Sequence, residues 1–203
     1  MSTSQMPSFE ATFNFADEME ILQRLQRAGY VMSGVSEPQT VGAHIFGAAL
    51  WCLLLMERMS ERDELDRAKV LTMVVLHEIG EARLSDIPHP ARRYLGPEAV
   101  SAAERQAVDE MLQGMPEEWR VLWHEFEDGE SLEARVVKAA DKLELMHRIL
   151  CYERQGNGEF ERFWEWDPNF RSAGLDAAVE LFEEMKRRHS AGDRRQEVKR
   201  TPR

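Results

Sequence analysis

Apolar residues recur at three-to-four spacing along nearly the whole chain, and no run alternates apolar with polar positions in the manner of a strand. That periodicity restricts the chain to packed helices, so the expected fold class is all-α. At 203 residues and 43% hydrophobic content, the chain can supply one well-formed core but hardly two. The expected organisation is a single helical domain over 16–189, with a flexible lead over 1–15 and a flexible polar tail over 190–203. Within the domain, the spacing predicts a first helix over 16–26, broken by Gly29-Tyr30, and a turn-rich loop over 33–38. A long helix capped by Thr40 then runs to about 59, followed by a central helix over 64–82. The prolines of Asp86-Ile87-Pro88-His89-Pro90 interrupt helix there, and further helices are expected over 98–113, 117–127, 132–154 and 175–189.

Three apolar stretches carry groups that apolar burial should exclude. His44 lies in Val41-Gly42-Ala43-His44-Ile45-Phe46, His77 and Glu78 in Val74-Val75-Leu76-His77-Glu78-Ile79, and Asp141 in Val136-Val137-Lys138-Ala139-Ala140-Asp141. Burying an ionisable group is costly unless something pairs with it. A single histidine in such a run is ordinarily a hydrogen-bonded core residue. Together, however, the four supply two nitrogens and two carboxylates, a mixed set suited to a catalytic divalent metal with positions left for water. The chemistry this predicts is metal-dependent hydrolysis. Consecutive helical residues lie about 100° apart, so His77 and Glu78 can reach one ion, with His44 and Asp141 coming from neighbouring helices. Glu81, four residues after His77, falls on the same helical face and is expected near a metal-bound water without ligating the metal. Asp86 has a simpler reading as a turn cap before Pro88, and Arg27 as a surface charge near a helix end.

In this order, the residues resemble the HD-domain phosphohydrolase superfamily, whose pattern is a His, a His-Asp pair on a central helix and a distant Asp. The closer likeness is to its 5'-deoxynucleotidase-like branch. Arg27-Ala28-Gly29-Tyr30 resembles that branch's Arg-x-Gly-aromatic stretch, and Thr40-Val41-Gly42-Ala43-His44 the segment carrying the first ligand. His77-Glu78-Ile79-Gly80-Glu81 with Asp86-Ile87-Pro88 resembles the central signature, and Lys138-Ala139-Ala140-Asp141-Lys142-Leu143 the segment with the last ligand. The resemblance implies an HD-type bundle around a central metal-binding helix, with one divalent ion (manganese, cobalt, iron, nickel or zinc) on His44, His77, Glu78 and Asp141. It further implies that Glu81 and Asp86 assist the attacking water and the leaving alkoxide, while Arg27 holds a phosphate oxygen. The implied reaction converts deoxyribonucleoside 5'-monophosphates to nucleoside and phosphate. Glu78 departs from the family's usual Asp by one methylene, enough to shift the ion or weaken its binding. Two alternatives follow: a phosphohydrolase of another small phosphate ester or alarmone, and a nucleotide- or partner-binding module without turnover. Ala43, where the family often has Glu, reads as structural.

The 26 basic and 37 acidic residues give a net charge of -11, which opposes binding to nucleic acid or to an anionic membrane. A small-molecule nucleotide or phosphate ester in a local cationic pocket is the partner that remains. No apolar run reaches the roughly 20 residues needed to span a bilayer and no secretory leader is evident, so the expected location is cytoplasmic. Cys52 and Cys151 lack metal or redox spacing and read as buried thiols. The 11 methionines and the aromatic-rich C-terminal segments suit a homodimer. Trp119, Trp123, Trp164 and Trp166 suggest core packing ahead of a dimer contact, and His89, set between two prolines near the proposed site, could line the pocket but reads more simply as incidental.

Overall fold

The computed structural model describes residues 6–200, with side chains to 192, and contains eleven α-helices among them. In chain order they are α1 (Phe9–Met19), α2 (Ala28–Met32), α3 (Val41–Met56), α4 (Arg67–Leu76), α5 (Glu81–Leu84), α6 (His89–Leu95), α7 (Pro97–Met111), α8 (Glu117–Asp128), α9 (Leu132–Arg154), α10 (Glu161–Trp164) and α11 (Asp176–Arg200). Helix α9 forms the centre. The Ser131 hydroxyl starts it by accepting from Ala134 N, and Ala134, Val137, Ala140, Leu143, Met146 and Ile149 are completely enclosed. It packs against α3, α4, α8 and α11, which is why its apolar residues occupy several faces rather than one stripe. A smaller apolar cluster of Leu76, Ile79, Val108, Met111, Leu112 and Trp123 sits where α4 gives way to α5 and meets α7 and α8. The fold is all-α, and the described residues contain one isolated β-bridge, between Gln26 and Thr40, and no helix long and apolar enough to cross a membrane.

Several boundaries differ from the periodic expectation, each for a local reason. The first helix begins at Phe9, inside the expected lead, because the Ser8 hydroxyl caps it by accepting from Ala11 N. Gly29 and Tyr30 do not end a helix; they lie within α2, where Gly29 allows the Phe163 ring to approach (a Cβ there would sit 3.3 Å from it). The Pro88-His89-Pro90 segment starts helix α6 instead of preventing one, because a proline in the first turn gives up an N–H that has no helical partner. Helix α11 continues past 189 to Arg200. Residues 1–5 of the expected lead and 201–203 of the expected tail lie outside the described residues. Cys52 is buried as expected, whereas Cys151 is only partly covered.

Candidate metal centre

Two second contacts aim the imidazoles. His44, in the first turns of α3, is fully buried, and its Nδ1 lies 2.6 Å from Glu144 Oε2 on α9. Glu144 in turn accepts from Gln39 Nε2 at 2.8 Å, so the carboxylate is fixed from both sides. The ring is thereby turned so that Nε2 faces Asp141 Oδ1 at 3.2 Å and Glu78 Oε1 at 3.8 Å. His77 follows the last residue of α4, and its Nδ1 binds Val74 O at 2.7 Å. In a continued α-helix that carbonyl would accept from the N–H of residue 78.

The central helix expected over 64–82 is broken at the doublet. Residues 77–80 close through three-residue turns, with Glu81 N donating to Glu78 O and Ala82 N to Ile79 O, both at 3.1 Å. Glu81 therefore begins α5 and does not lie one α-helical turn beyond His77. The same-face derivation for Glu81 fails, although its side chain still lines the cavity beside Glu78.

One donor atom from each of His44, His77, Glu78 and Asp141 lies within 4.8 Å of the other three. His44 Nε2, His77 Nε2 and Asp141 Oδ1 are buried without a hydrogen bond, despite their closeness. Each such atom costs about 1–3 kcal/mol when left unsatisfied, and one cation among them would satisfy all three. Two imidazole nitrogens and two carboxylates also form a donor set that first-row divalent ions accept. The residues fit a divalent metal.

The electrostatics agree. Burial alone would raise the Asp141 carboxyl, but Lys142 and His44 hold it well below the usual carboxylate range. Burial depresses His77, which favours the neutral ring that ligates metals. Burial and Arg27 both oppose a charge on His44, but Asp141 and Glu144 outweigh them and raise it. Burial, reinforced by Glu78, pushes the Glu81 carboxyl up to about 10.

Arg27 precedes α2 and lines the same cavity, with Nη1 at 3.0 Å from Glu78 Oε1 and Nε at 3.9 Å from Asp86 Oδ2. Asp86 Oδ2 also accepts from Ala28 N at 2.7 Å, so it tethers the start of α2 to the site, and it caps no turn before Pro88. Ser85, just before it, takes φ 66° and ψ 165°, a region glycine normally fills; this strained link sets the direction of Asp86. The cavity measures about 670 Å³, within the range of small-molecule sites, and its lining mixes Arg92, Lys138, Lys142, Arg162 and Arg171 with Glu104 and Glu127. Glu144 was not singled out in the sequence. Its signal was there: it follows Asp141 by three residues, on the same helical face and inside an apolar run.

An HD-domain family model matches residues 19–171. The chain belongs to the HD-domain family. Among relatives of this HD protein, a 5'-deoxynucleotidase HDDC2 from Dictyostelium discoideum is 32% identical over 142 residues, covering 66% of this chain and 73% of that protein. A 5'-deoxynucleotidase hdd1 from Schizosaccharomyces pombe is 26% identical over 151 residues, covering 71% and 74%. A solved structure, described as a conserved hypothetical protein from Pyrococcus furiosus, superposes with a TM-score of 0.71 at 28% identity, covering 88% of this chain and 99% of that one. Family, relatives' names and donor cluster together support a metal-dependent phosphohydrolase.

Proposed function

We propose that this HD protein hydrolyses the phosphomonoester of deoxyribonucleoside 5'-monophosphates, releasing nucleoside and phosphate. The observation that carries the reading is the set of three buried, unpartnered donor atoms on His44, His77 and Asp141, closed by Glu78. The names of the relatives support the substrate class. When bound there, a divalent ion supplies charge to the phosphoryl oxygen and lowers the pKa of water. The rest falls to the chain's own side chains. Arg27 binds a phosphate oxygen through its fork of donors, and its charge together with that of the metal is how a chain of net charge -11 accepts an anion. Glu81, whose carboxyl burial and Glu78 push up to about 10, holds a proton that it donates to the leaving sugar oxygen. Asp86 acts beside it while holding Ala28 N–H and Arg27 in place.

The test is phosphate release from deoxyribonucleoside 5'-monophosphates with added manganese or cobalt. Activity is expected to vanish in Asp141→Ala and Glu81→Ala. Full turnover by metal-stripped protein would contradict the reading, and metal binding without turnover would make the chain a binding module.

The same reading includes a homodimer formed through α3. Its outer positions Phe46, Leu50, Leu53 and Leu54 are exposed, and no Asp, Glu, Lys or Arg occurs from Val41 to Met56. An uncharged apolar face is where two equally acidic copies can meet with least repulsion.

A further inference from the structure

Two aromatic rings at the edge of the cavity have no part in the metal centre. His89 opens α6 and Trp166 lies between α10 and the short turn Asp167–Phe170, so they come from segments 77 residues apart. Their ring centroids are 4.1 Å apart with a 45° tilt, so the two rings touch and brace one another. Both rings line the cavity that contains Arg27, Glu78 and Asp141. Both also reach solvent, Trp166 at 37% exposure and His89 likewise exposed, which places the pair on the rim.

The neighbouring aromatic side chains are used differently. Phe160 is buried and stacks on Tyr152, Trp164 stacks on His189 and donates to Glu153 Oε1, and Phe170 packs edge-on against Phe182. Trp166 is instead turned out to the cavity mouth, where a tryptophan contributes least to a core.

From this placement, and resting on the phosphohydrolase reading above, we propose that His89 and Trp166 form a stacking platform for the planar base of a nucleotide whose phosphate lies at Arg27. Two polar side chains of the same lining are engaged in part: Asn169 Nδ2 donates to Phe163 O at 2.9 Å, and Arg162 Nη2 to Ser33 Oγ at 3.2 Å. The contact that the pair itself offers is to the face of a ring. Every nucleobase offers a π-face, so the platform accepts purines and pyrimidines alike and disfavours phosphate esters that lack a base.

The test compares manganese-loaded wild type, Trp166→Ala, Trp166→Phe and His89→Ala on dAMP, dCMP and 2-deoxyribose 5-phosphate. Trp166→Ala is expected to raise KM for both nucleotides roughly tenfold, the usual scale for loss of a base–aromatic stack, with kcat little altered. The preference for nucleotide over 2-deoxyribose 5-phosphate, as a ratio of kcat/KM, should fall by a similar factor; Trp166→Phe should restore most of it. An unchanged ratio in Trp166→Ala overturns the proposal, as does a loss that Trp166→Phe fails to rescue in a protein with wild-type melting. Failure of the phosphohydrolase reading looks different: the wild type releases phosphate from none of the three. In that event calorimetric titration with dAMP decides, since binding weakened about tenfold by Trp166→Ala keeps the platform, and absent or equal binding removes it.

Discussion

Glu144 lies outside the donor cluster but orients it, because its contact with Nδ1 of His44 favours the tautomer that leaves Nε2 free to ligate. With Oε2 at 2.6 Å from Nδ1, the carboxylate keeps that nitrogen protonated and leaves the Nε2 lone pair for the ion. Glu144→Gln, nearly isosteric but uncharged, is expected to weaken manganese affinity about 10–100-fold with the helical signal unchanged, as read by calorimetry and circular dichroism. Equal affinity in the two proteins would reduce Glu144 to a packing residue. Glu81 yields a pH prediction of definite sign. Its carboxyl ionises near an ordinary 4.5 when unfolded but at about 10 when folded, so the native state holds the proton more tightly. Stability from this group is complete below 4.5 and is lost as pH rises towards 10, by up to about 1.4 kcal/mol per pH unit. In metal-free protein, Glu81→Gln should flatten that loss, so its melting temperature should rise relative to wild type between pH 5 and pH 9. Parallel melting curves across that range would show that the carboxyl ionises normally.

At the level of the elements, the contact between α3 and α9 decides how close His44 comes to Asp141, and Gly47 makes the contact possible. A Cβ at that position would lie 2.7 Å from Glu144 Oε1 and 2.8 Å from its Cγ. Helix propensity alone favours Gly47→Ala by about 1 kcal/mol. The clash opposes this, and Glu144 cannot swing away without breaking its contacts to His44 and Gln39, at about 1–3 kcal/mol. We therefore expect Gly47→Ala to lower both the denaturation midpoint and manganese affinity; a stabilised variant would mean that α3 can draw back at little cost. These elements also show what can be read from sequence and what cannot. Helix α9 matches its expected bounds, because Ser131 caps it and its apolar pattern is unbroken. Four polar residues inside apolar runs likewise announce the donor cluster. The break at 77–80 leaves no such trace: Leu76, Ile79 and Ala82 continue a helical pattern, and it is the His77 ring, seated on Val74 O, that occupies the carbonyl needed to continue the helix. Periodicity reports which face is buried and is blind to a side chain that competes for a backbone acceptor. The outward turn of Trp166 is hidden for a similar reason, since a tryptophan in an aromatic-rich stretch has the same signature whether it faces the core or a cavity.

For the molecule as a whole, charge and apolar surface pull association in opposite directions. A net charge of -11 makes two copies repel at long range, by an amount that salt screens over a Debye length of about 8 Å at 0.15 M. Against this stands the outer face of α3, where Phe46 is 67% exposed and Leu54 55% exposed, with Leu50 and Leu53 beside them. Four exposed apolar side chains on one uncharged helix face suit a contact with another surface, and a two-fold contact would set this face against its own copy. The chain is therefore expected to sediment as a dimer at micromolar concentration, with association strengthening as salt rises because screening removes the repulsion and leaves the apolar term. Phe46→Glu places like charges in the centre of the contact and should give a monomer. Phe46 is exposed, whereas His44 on the same helix is fully buried, so the monomer should bind manganese as the wild type does. A wild type that sediments as a monomer, or a Phe46→Glu variant that remains dimeric, would assign the exposed face of α3 to some other use.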